Sequence, residues 1–334
     1  MATMKAILVR SAGAEFELIE RDIPGPQEHE VLIKVDACGI CHGDALVKEG
    51  KFPGLTYPRV PGHEVVGSVA KLGAAVTNWT LGQRVGVGWH GGHCCYCKAC
   101  RQGEPGACPN HHITGLSMDG GYAEYMIGRE EAMVAIPDEL SSAEAAPLLC
   151  AGATVFGALG HAGASGGDVV AIQGLGGLGH LALQFAVKLG SKAVVVSRGK
   201  EKEALAFKLG AAAYIDSSAG DAGKQLQAMG GASAIICTAP NGKAMSELVP
   251  GLAGGGKMVI VAAGRDPLTV SPFLLLGKKS ISGWVGGNMG ETLAFAVHTK
   301  VLPMIETFPL EQAAEAFEKM MTAKVRFRAV LKMA

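Results

Sequence analysis

Short alternating runs of apolar and polar residues, such as 31–35 and 65–69, recur through the first ~150 residues, broken by glycine or proline every several positions. That texture predicts a β-rich, irregular region with no helix of ordinary length. From Asp168 the pattern changes. Val169–Gln173 reads as an apolar strand, and 178–189 follows with helical spacing at Leu178, Leu181, Ala182 and Phe185. Further apolar runs at 193–196, 213–215, 234–237, 258–261 and 281–285, with a charged helix at 201–209, predict strands alternating with helices. Such alternation implies a parallel sheet covered on both faces. Beyond about Gly290 one amphipathic helix is expected, with Leu310, Ala313, Ala314, Phe317 and Met321 on one face, and then a strand at 325–332. This tail breaks the strand–helix rhythm and is expected to return to the first region.

Composition narrows the function classes. The 334 residues suffice for two cores, 49% are apolar, and only 18% are charged, so the chain is globular. Lys+Arg and Asp+Glu both total 30, which argues against a nucleic-acid or membrane-surface partner. Between Glu144 and Lys188 the only charge is Asp168, yet Pro147, His161, Gln173 and His180 argue against a membrane span. The opening residues run straight into a strand pattern without a signal peptide's apolar core. Nine cysteines, five of them within 94–108, fit metal ligands in a reducing compartment better than a disulfide framework, so a cytoplasmic protein is expected.

Cys94, Cys97, Cys100 and Cys108 have the spacing C-x2-C-x2-C-x7-C. Two-residue gaps let a turn present successive thiolates to one point, and four of them complete a closed, structural zinc site. The alternatives are free buried thiols or a nucleic-acid-binding zinc ribbon, but Lys98 and Arg101 alone make no basic stripe. Cys95 is an extra thiol, expected to point away. Gly174, Gly176 and Gly179, with Gly177 and Leu178 between them, form G-x-G-x-x-G directly after a predicted strand and at the start of a predicted helix. In that context the glycines let a dinucleotide's pyrophosphate approach the backbone at the positive end of a helix. The next strand ends in Ser197-Arg198-Gly199-Lys200, without the acid that binds the ribose of NAD. A charge-assisted bond to a 2′-phosphate is worth roughly 1.5–3 kcal/mol, so NADP is expected over NAD. The alternative is that Arg198 and Lys200 are solvated charges at a helix start.

Three further motifs are ambiguous singly: Cys38-Gly-Ile-Cys41-His42-Gly43-Asp44, Gly62-His63-Glu64 and Leu149-Cys150-Ala-Gly-Ala-Thr154. A lone Cys150 in an apolar run is more often core than ligand. Taken in order with the four-cysteine lobe and the glycine run, they resemble the medium-chain, zinc-containing alcohol dehydrogenase family across essentially the whole chain. Within it the chain resembles bacterial tetrameric members and the cinnamyl-alcohol-dehydrogenase-like branch. The resemblance implies an α/β protein with a GroES-like catalytic domain at 1–149 and 290–334, carrying two zinc ions, and a Rossmann domain at 150–289. It implies a catalytic zinc on Cys41, His63 and Cys150, with Glu64 as an occasional ligand and Asp44 orienting His63. It places His42 near the pyrophosphate, Thr154 near the nicotinamide, and Trp89 in the substrate pocket, with Trp284 also within reach of that pocket. The loops 48–57 and 110–119 are expected to shape the pocket, and the segment 281–287 to form the sheet edge of a dimer or tetramer.

One departure stands out. The family usually has Ser or Thr where this chain has Gly43, and many members have His where it has Leu46, so both steps of the usual proton relay are missing. Either ordered water replaces them, or the enzyme reduces conjugated C=C bonds instead. Restoring Thr at 43 is expected to raise alcohol oxidation if the relay is limiting. The expected activity is hydride transfer between NADP(H) and a primary alcohol/aldehyde pair, aromatic or medium-chain. The rivals are an enal/enone reductase and a non-catalytic zinc- and NADPH-binding protein. Against the latter stands the open metal position that Cys41, His63 and Cys150 would leave.

Overall fold

The computed structural model describes residues 2–262 and 264–333, which divide into two compact units. The first comprises Met1–Cys150, Met289–His298 and Leu302–Ala334, and the second Ala151–Asn288 with Thr299–Val301.

In the first unit the long strand Glu30–Gly39 is the spine. It pairs antiparallel with Val65–Leu72, with Tyr125–Arg129 and with Arg328–Lys332. Arg84–Val87, Met133–Ala135 and Ile305–Pro309 complete a seven-stranded sheet. The alternation read at 31–35 extends further than expected because two bulges, at Leu32/Ile33 and Val35/Ala37, re-phase the strand and keep it paired. Val31, Ile33, Val35, Val65, Val85, Val87 and Leu331 fill the core beneath it.

The expected absence of helix before residue 150 is corrected. Ser142–Pro147 is helical, capped by a reciprocal Ser141/Glu144 box, and runs through a π-helical stretch, Leu148–Gly152, into Ala153–Ala162. Pro147, which cannot donate to the Ala143 carbonyl, hid it from a periodicity search, and the π-helical stretch begins at the next residue. The run Ser142–Ala162 is long and apolar enough to cross a membrane by length and composition, but 72% of its apolar window is buried in the protein. The tail holds two helices rather than one. Met289–Thr299 buries only Thr292, Leu293 and Ala296, a stripe too narrow to announce itself. The second, Ala313–Met321, buries Ala313, Ala316, Phe317 and Met320, whereas the expected face included Ala314, which is exposed. Leu310–Gln312 forms a 3-10 turn, and its tighter winding rotates the face that follows.

The second unit is a six-stranded parallel sheet. In spatial order its strands are Ala213–Asp216, Lys192–Ser197, Val169–Gln173, Ala232–Cys237, Leu252–Ile260 and Ser280–Gly283. In chain order that is 3-2-1-4-5-6, the doubly wound arrangement that binds dinucleotides beyond the carboxyl ends of its strands. The last strand ends at Gly283, short of the expected 285, and leaves Val285 78% exposed.

Candidate active site

The chemistry of the first unit begins at one end of the spine strand. Cys41 follows it, and a short helix, Asp44–Glu49, opens immediately afterwards. His63 and Glu64 precede the strand Val65–Leu72, and Cys150 lies in the π-helical stretch. Ligand atoms of Cys41, His63, Glu64 and Cys150 all fall within 4.8 Å of one another. The Cys41 and Cys150 sulfurs are 4.0 Å apart, close to the edge of about 3.8 Å that a tetrahedron of zinc–sulfur bonds would have.

The surroundings fix the imidazole. Asp44 is fully buried and its Oδ1 accepts from His63 Nδ1 at 2.9 Å. Its Oδ2 accepts from the Tyr122 hydroxyl at 2.8 Å and the Cys41 amide at 2.9 Å. With Nδ1 engaged as donor, Nε2 is the ring nitrogen left for a metal; it is buried and has no partner. A buried orphan acceptor costs free energy unless something binds it. Two thiols and an orphan imidazole nitrogen converging on one point fit a zinc ion. The Cys150 thiol, by hydrogen bonding, holds Cys41 well below an ordinary thiol, and Cys150 is raised in turn.

Glu64 is fully buried too. One carboxylate oxygen is ion-paired with Arg328, whose guanidinium also donates to the Ile40 carbonyl at 3.1 Å, while Oε2 has no partner. Burial pushes Glu64 up to about 7 against the pull of Arg328. Arg328 and Tyr122 were not anticipated. Nothing local marks them, though a charged residue at the head of an apolar strand was a usable hint for Arg328.

Gly43 is explained by its neighbours. A Cβ built there would lie 2.8 Å from both His63 Cε1 and Trp89 Cζ3. The Trp89 ring stands edge-on to His63, centroids 4.9 Å apart at 89°. A Thr at 43 would therefore meet occupied space, a cost set against any relay its hydroxyl restored. Leu46 and Trp89 border an apolar cluster of Val9, Val47, Ile113 and Leu116, with Phe52, Leu55 and Tyr57 packed against it. His42 is exposed at the start of the short helix. Cys38 is fully buried in the core.

A second thiol group lies apart. Sulfur separations are 3.4 Å for Cys97–Cys100, 3.6 Å for Cys94–Cys108 and 3.9 Å for Cys94–Cys100, again near the edge of about 3.8 Å expected around one zinc ion. The Tyr96 amide draws Cys94 down to about 6. Cys95 is exposed, at φ 66°, and stands outside the group.

In the second unit Gly174 turns the chain at φ +92° directly after Val169–Gln173, and Gly176 has open space where a side chain would project. A Cβ on Gly179 would overlap the Gly174 carbonyl, so helix and strand pack through that glycine. Gly177 and Leu178 complete the turn into the helix Gly179–Lys188. Thr154 is buried in the first turn of Ala153–Ala162. Ser197 closes its strand, followed by exposed Arg198 and Lys200. Trp284 stacks on His161 at 4.8 Å and covers Gly157, so its ring is engaged within its own unit.

Comparison with known proteins now bears on this geometry. Residues 27–138 match the alcohol dehydrogenase GroES-like domain and residues 177–301 the zinc-binding dehydrogenase domain. An alcohol dehydrogenase of Aspergillus sp. (strain MF297-2), notN, is 46% identical over 99% of this chain and 98% of that protein. The chain belongs to the medium-chain, zinc-containing alcohol dehydrogenases. An alcohol dehydrogenase of Geobacillus stearothermophilus is 39% identical over 99% of both chains. Among solved structures, a cinnamyl alcohol dehydrogenase of Sorghum bicolor superposes with a TM-score of 0.89 at 32% identity, covering 99% of this chain and 98% of that one. This alcohol dehydrogenase is thus an oxidoreductase acting on alcohols, with a GroES-like domain, a Rossmann domain, zinc and a nicotinamide cofactor.

Proposed function

We propose that the enzyme interconverts primary alcohols and aldehydes, aromatic or medium-chain, with NADP(H) preferred over NAD(H), and that it carries two zinc ions. The observation that carries this reading is the buried, partnerless Nε2 of His63 facing the Cys41 and Cys150 thiols. Those three residues would hold the catalytic zinc, and Glu64 is close enough to join them on occasion. Cys94, Cys97, Cys100 and Cys108 would hold a structural zinc, because four thiolates leave no open position. Bound at the three-residue site, zinc supplies Lewis acidity that favours the ionised alcohol and polarises the aldehyde.

The chain's own residues do the rest. Asp44, held by Tyr122 and the Cys41 amide, fixes the His63 tautomer. The substrate's hydroxyl proton would leave through ordered water, since neither Gly43 nor Leu46 has a side chain able to relay it. Trp89 and the apolar cluster around Val47 and Leu116 favour a ring or alkyl chain over a polar substrate. The likeness to a cinnamyl alcohol dehydrogenase supports the aromatic option. Gly174–Gly179 would hold the pyrophosphate, where Gly176 leaves open space, and the exposed Arg198 and Lys200 would meet a 2′-phosphate. Strand Ser280–Gly283 is a sheet edge beside exposed Phe273, Leu276 and Val285, which supports a homo-oligomer.

The test is the initial rate of benzaldehyde and but-2-enal reduction with NADPH and NADH, on protein of measured zinc content. Aldehyde reduction favouring NADPH is expected, and replacing Arg198 with Asp should cut NADPH affinity selectively by about tenfold or more. Reduction of the enal's C=C bond in place of its carbonyl would sink the alcohol reading. A higher rate with NADH would sink the cofactor preference alone.

A further inference from the structure

The turn that carries Arg198 and Lys200 is held from behind. Gly199, between the two cations, adopts the left-handed conformation at φ +73°, and its peptide groups are pinned on both sides. Its amide donates to Asp216 Oδ1 at 2.9 Å, and its carbonyl accepts from the Tyr214 hydroxyl at 2.7 Å. Both partners come from the neighbouring strand Ala213–Asp216, whose Asp216 pairs in register with Ser197. Asp216 is itself anchored, because the same Oδ1 also accepts from the Ser218 amide at 2.9 Å and the Ser218 hydroxyl at 2.6 Å.

A carboxylate at this end of the sheet could have a different role, as the acid that binds ribose hydroxyls and repels a 2′-phosphate. Three donors already converge on Oδ1, which ties that oxygen to the shape of the turn, and the two roles differ in what Asp216→Asn does to NADPH affinity. Arg198 and Lys200 are two like charges flanking one glycine, both exposed, and Lys200 is close enough to Asp216 for their charges to interact. Two long cations on an unrestrained glycine turn would drift apart, lowering the chance that both meet one phosphate.

We propose that Asp216 and Tyr214 are positioning residues that clamp Gly199 and so set the preference for a 2′-phosphorylated cofactor. This rests on the NADP reading above. Preorganised cations spend less conformational entropy on binding, so the clamp acts on the phosphate-bearing cofactor and leaves the shared pyrophosphate contacts alone.

The experiment is isothermal titration of zinc-loaded protein with NADPH and with NADH, for wild type, Asp216→Ala, Tyr214→Phe and Asp216→Asn. Asp216→Ala and Tyr214→Phe should each raise the Kd for NADPH, by about tenfold for the former, while the Kd for NADH stays within about twofold. Asp216→Asn keeps an acceptor oxygen and should retain the wild-type ratio of the two Kd values. An unchanged ratio in both Asp216→Ala and Tyr214→Phe, or an equal loss for the two cofactors, would overturn the clamp. A gain in NADPH affinity in Asp216→Asn would overturn it as well and make Asp216 a repelling acid. If wild type itself shows no preference for NADPH, the cofactor reading fails first and the clamp falls with it; a wild-type preference with unaffected variants removes only the clamp.

Discussion

Replacing Gly43 with Ala is the sharpest perturbation the site offers, because only space is at stake. The backbone there has φ −59° and ψ −28°, which any residue adopts, so an added methyl brings no conformational strain. It brings two collisions, with His63 Cε1 and Trp89 Cζ3, each at 2.8 Å. Carbon atoms in contact normally sit about 3.5–4.0 Å apart, so each ring would have to retreat by roughly 0.7 Å or more. Neither ring is free to do so: His63 is tied to Asp44 at 2.9 Å, and Trp89 packs on the cluster around Val47 and Ile113. Overpacking of this kind costs about 1–3 kcal/mol. Because one of the displaced rings carries Nε2, the cost should appear partly as metal affinity, with a loss of about 10–100-fold, the range seen when a ligand's supporting group is disturbed. Zinc content after dialysis against a graded chelator series, together with the denaturation midpoint, reads both. Gly43→Thr belongs beside Gly43→Ala, because both carry the collision and only Thr adds a hydroxyl. Wild-type zinc retention and stability in Gly43→Ala would refute the argument. Faster alcohol oxidation in Gly43→Thr than in wild type would show that the missing relay outweighs the collision.

Other expectations follow from the same contacts. Arg328→Met strands the buried Glu64 carboxylate and should destabilise by about 3–5 kcal/mol in chemical denaturation, with Glu64→Gln in the same chain restoring most of it. Tyr122→Phe removes a donor to Asp44 without changing shape and should cost about 1–2 kcal/mol; an unchanged midpoint would mean that Asp44 needs only His63 and the Cys41 amide. Burial, reinforced by His93, lowers the pKa of His90 below its ordinary 6.5. The native state then binds this proton less readily than the unfolded chain, so its contribution to stability is complete above pH 6.5 and shrinks as pH falls through that value. Thermal midpoints of wild type and His90→Gln should therefore converge, or cross, between pH 7.5 and 5 (about the span over which an imidazole titrates), and parallel profiles would discount the effect.

Legibility in the sequence followed range. The four-cysteine lobe and the glycine turn are local: their residues lie within 15 and 6 positions, spans a single loop can close, and spacing alone identifies their chemistry. The parallel sheet was readable because strands buried on both faces are continuous apolar runs, as Val169–Gln173 and Ala232–Cys237 are. The helical run from Ser142 was signalled by its capping box and masked by Pro147; the box was the better guide. Cys41, His63 and Cys150 lie far apart in sequence, and without the family's motif order each would pass for core. The crowding at Gly43 lay beyond reach, since it depends on where the Trp89 ring packs.

The buried charges show why the carboxyl-terminal segment belongs with the first unit. Asp44, His63, Glu64 and Arg328 are four of the few fully buried ionisable residues, and they meet at one place. A core would reject each of them singly, because an unpaired buried charge costs several kcal/mol. Together they are nearly satisfied: Asp44 takes three donors, and Glu64 takes Arg328. Arg328 reaches Glu64 because the strand it opens, Arg328–Lys332, pairs with Glu30–Gly39, the strand that delivers Cys41. Among the described residues three atoms of this cluster remain unmatched: Arg328 Nε, a donor, and His63 Nε2 and Glu64 Oε2, which belong to the group that also holds the Cys41 and Cys150 thiols. The two unmatched atoms able to bind a cation, one on an imidazole and one on a carboxylate, thus sit together with the two thiols.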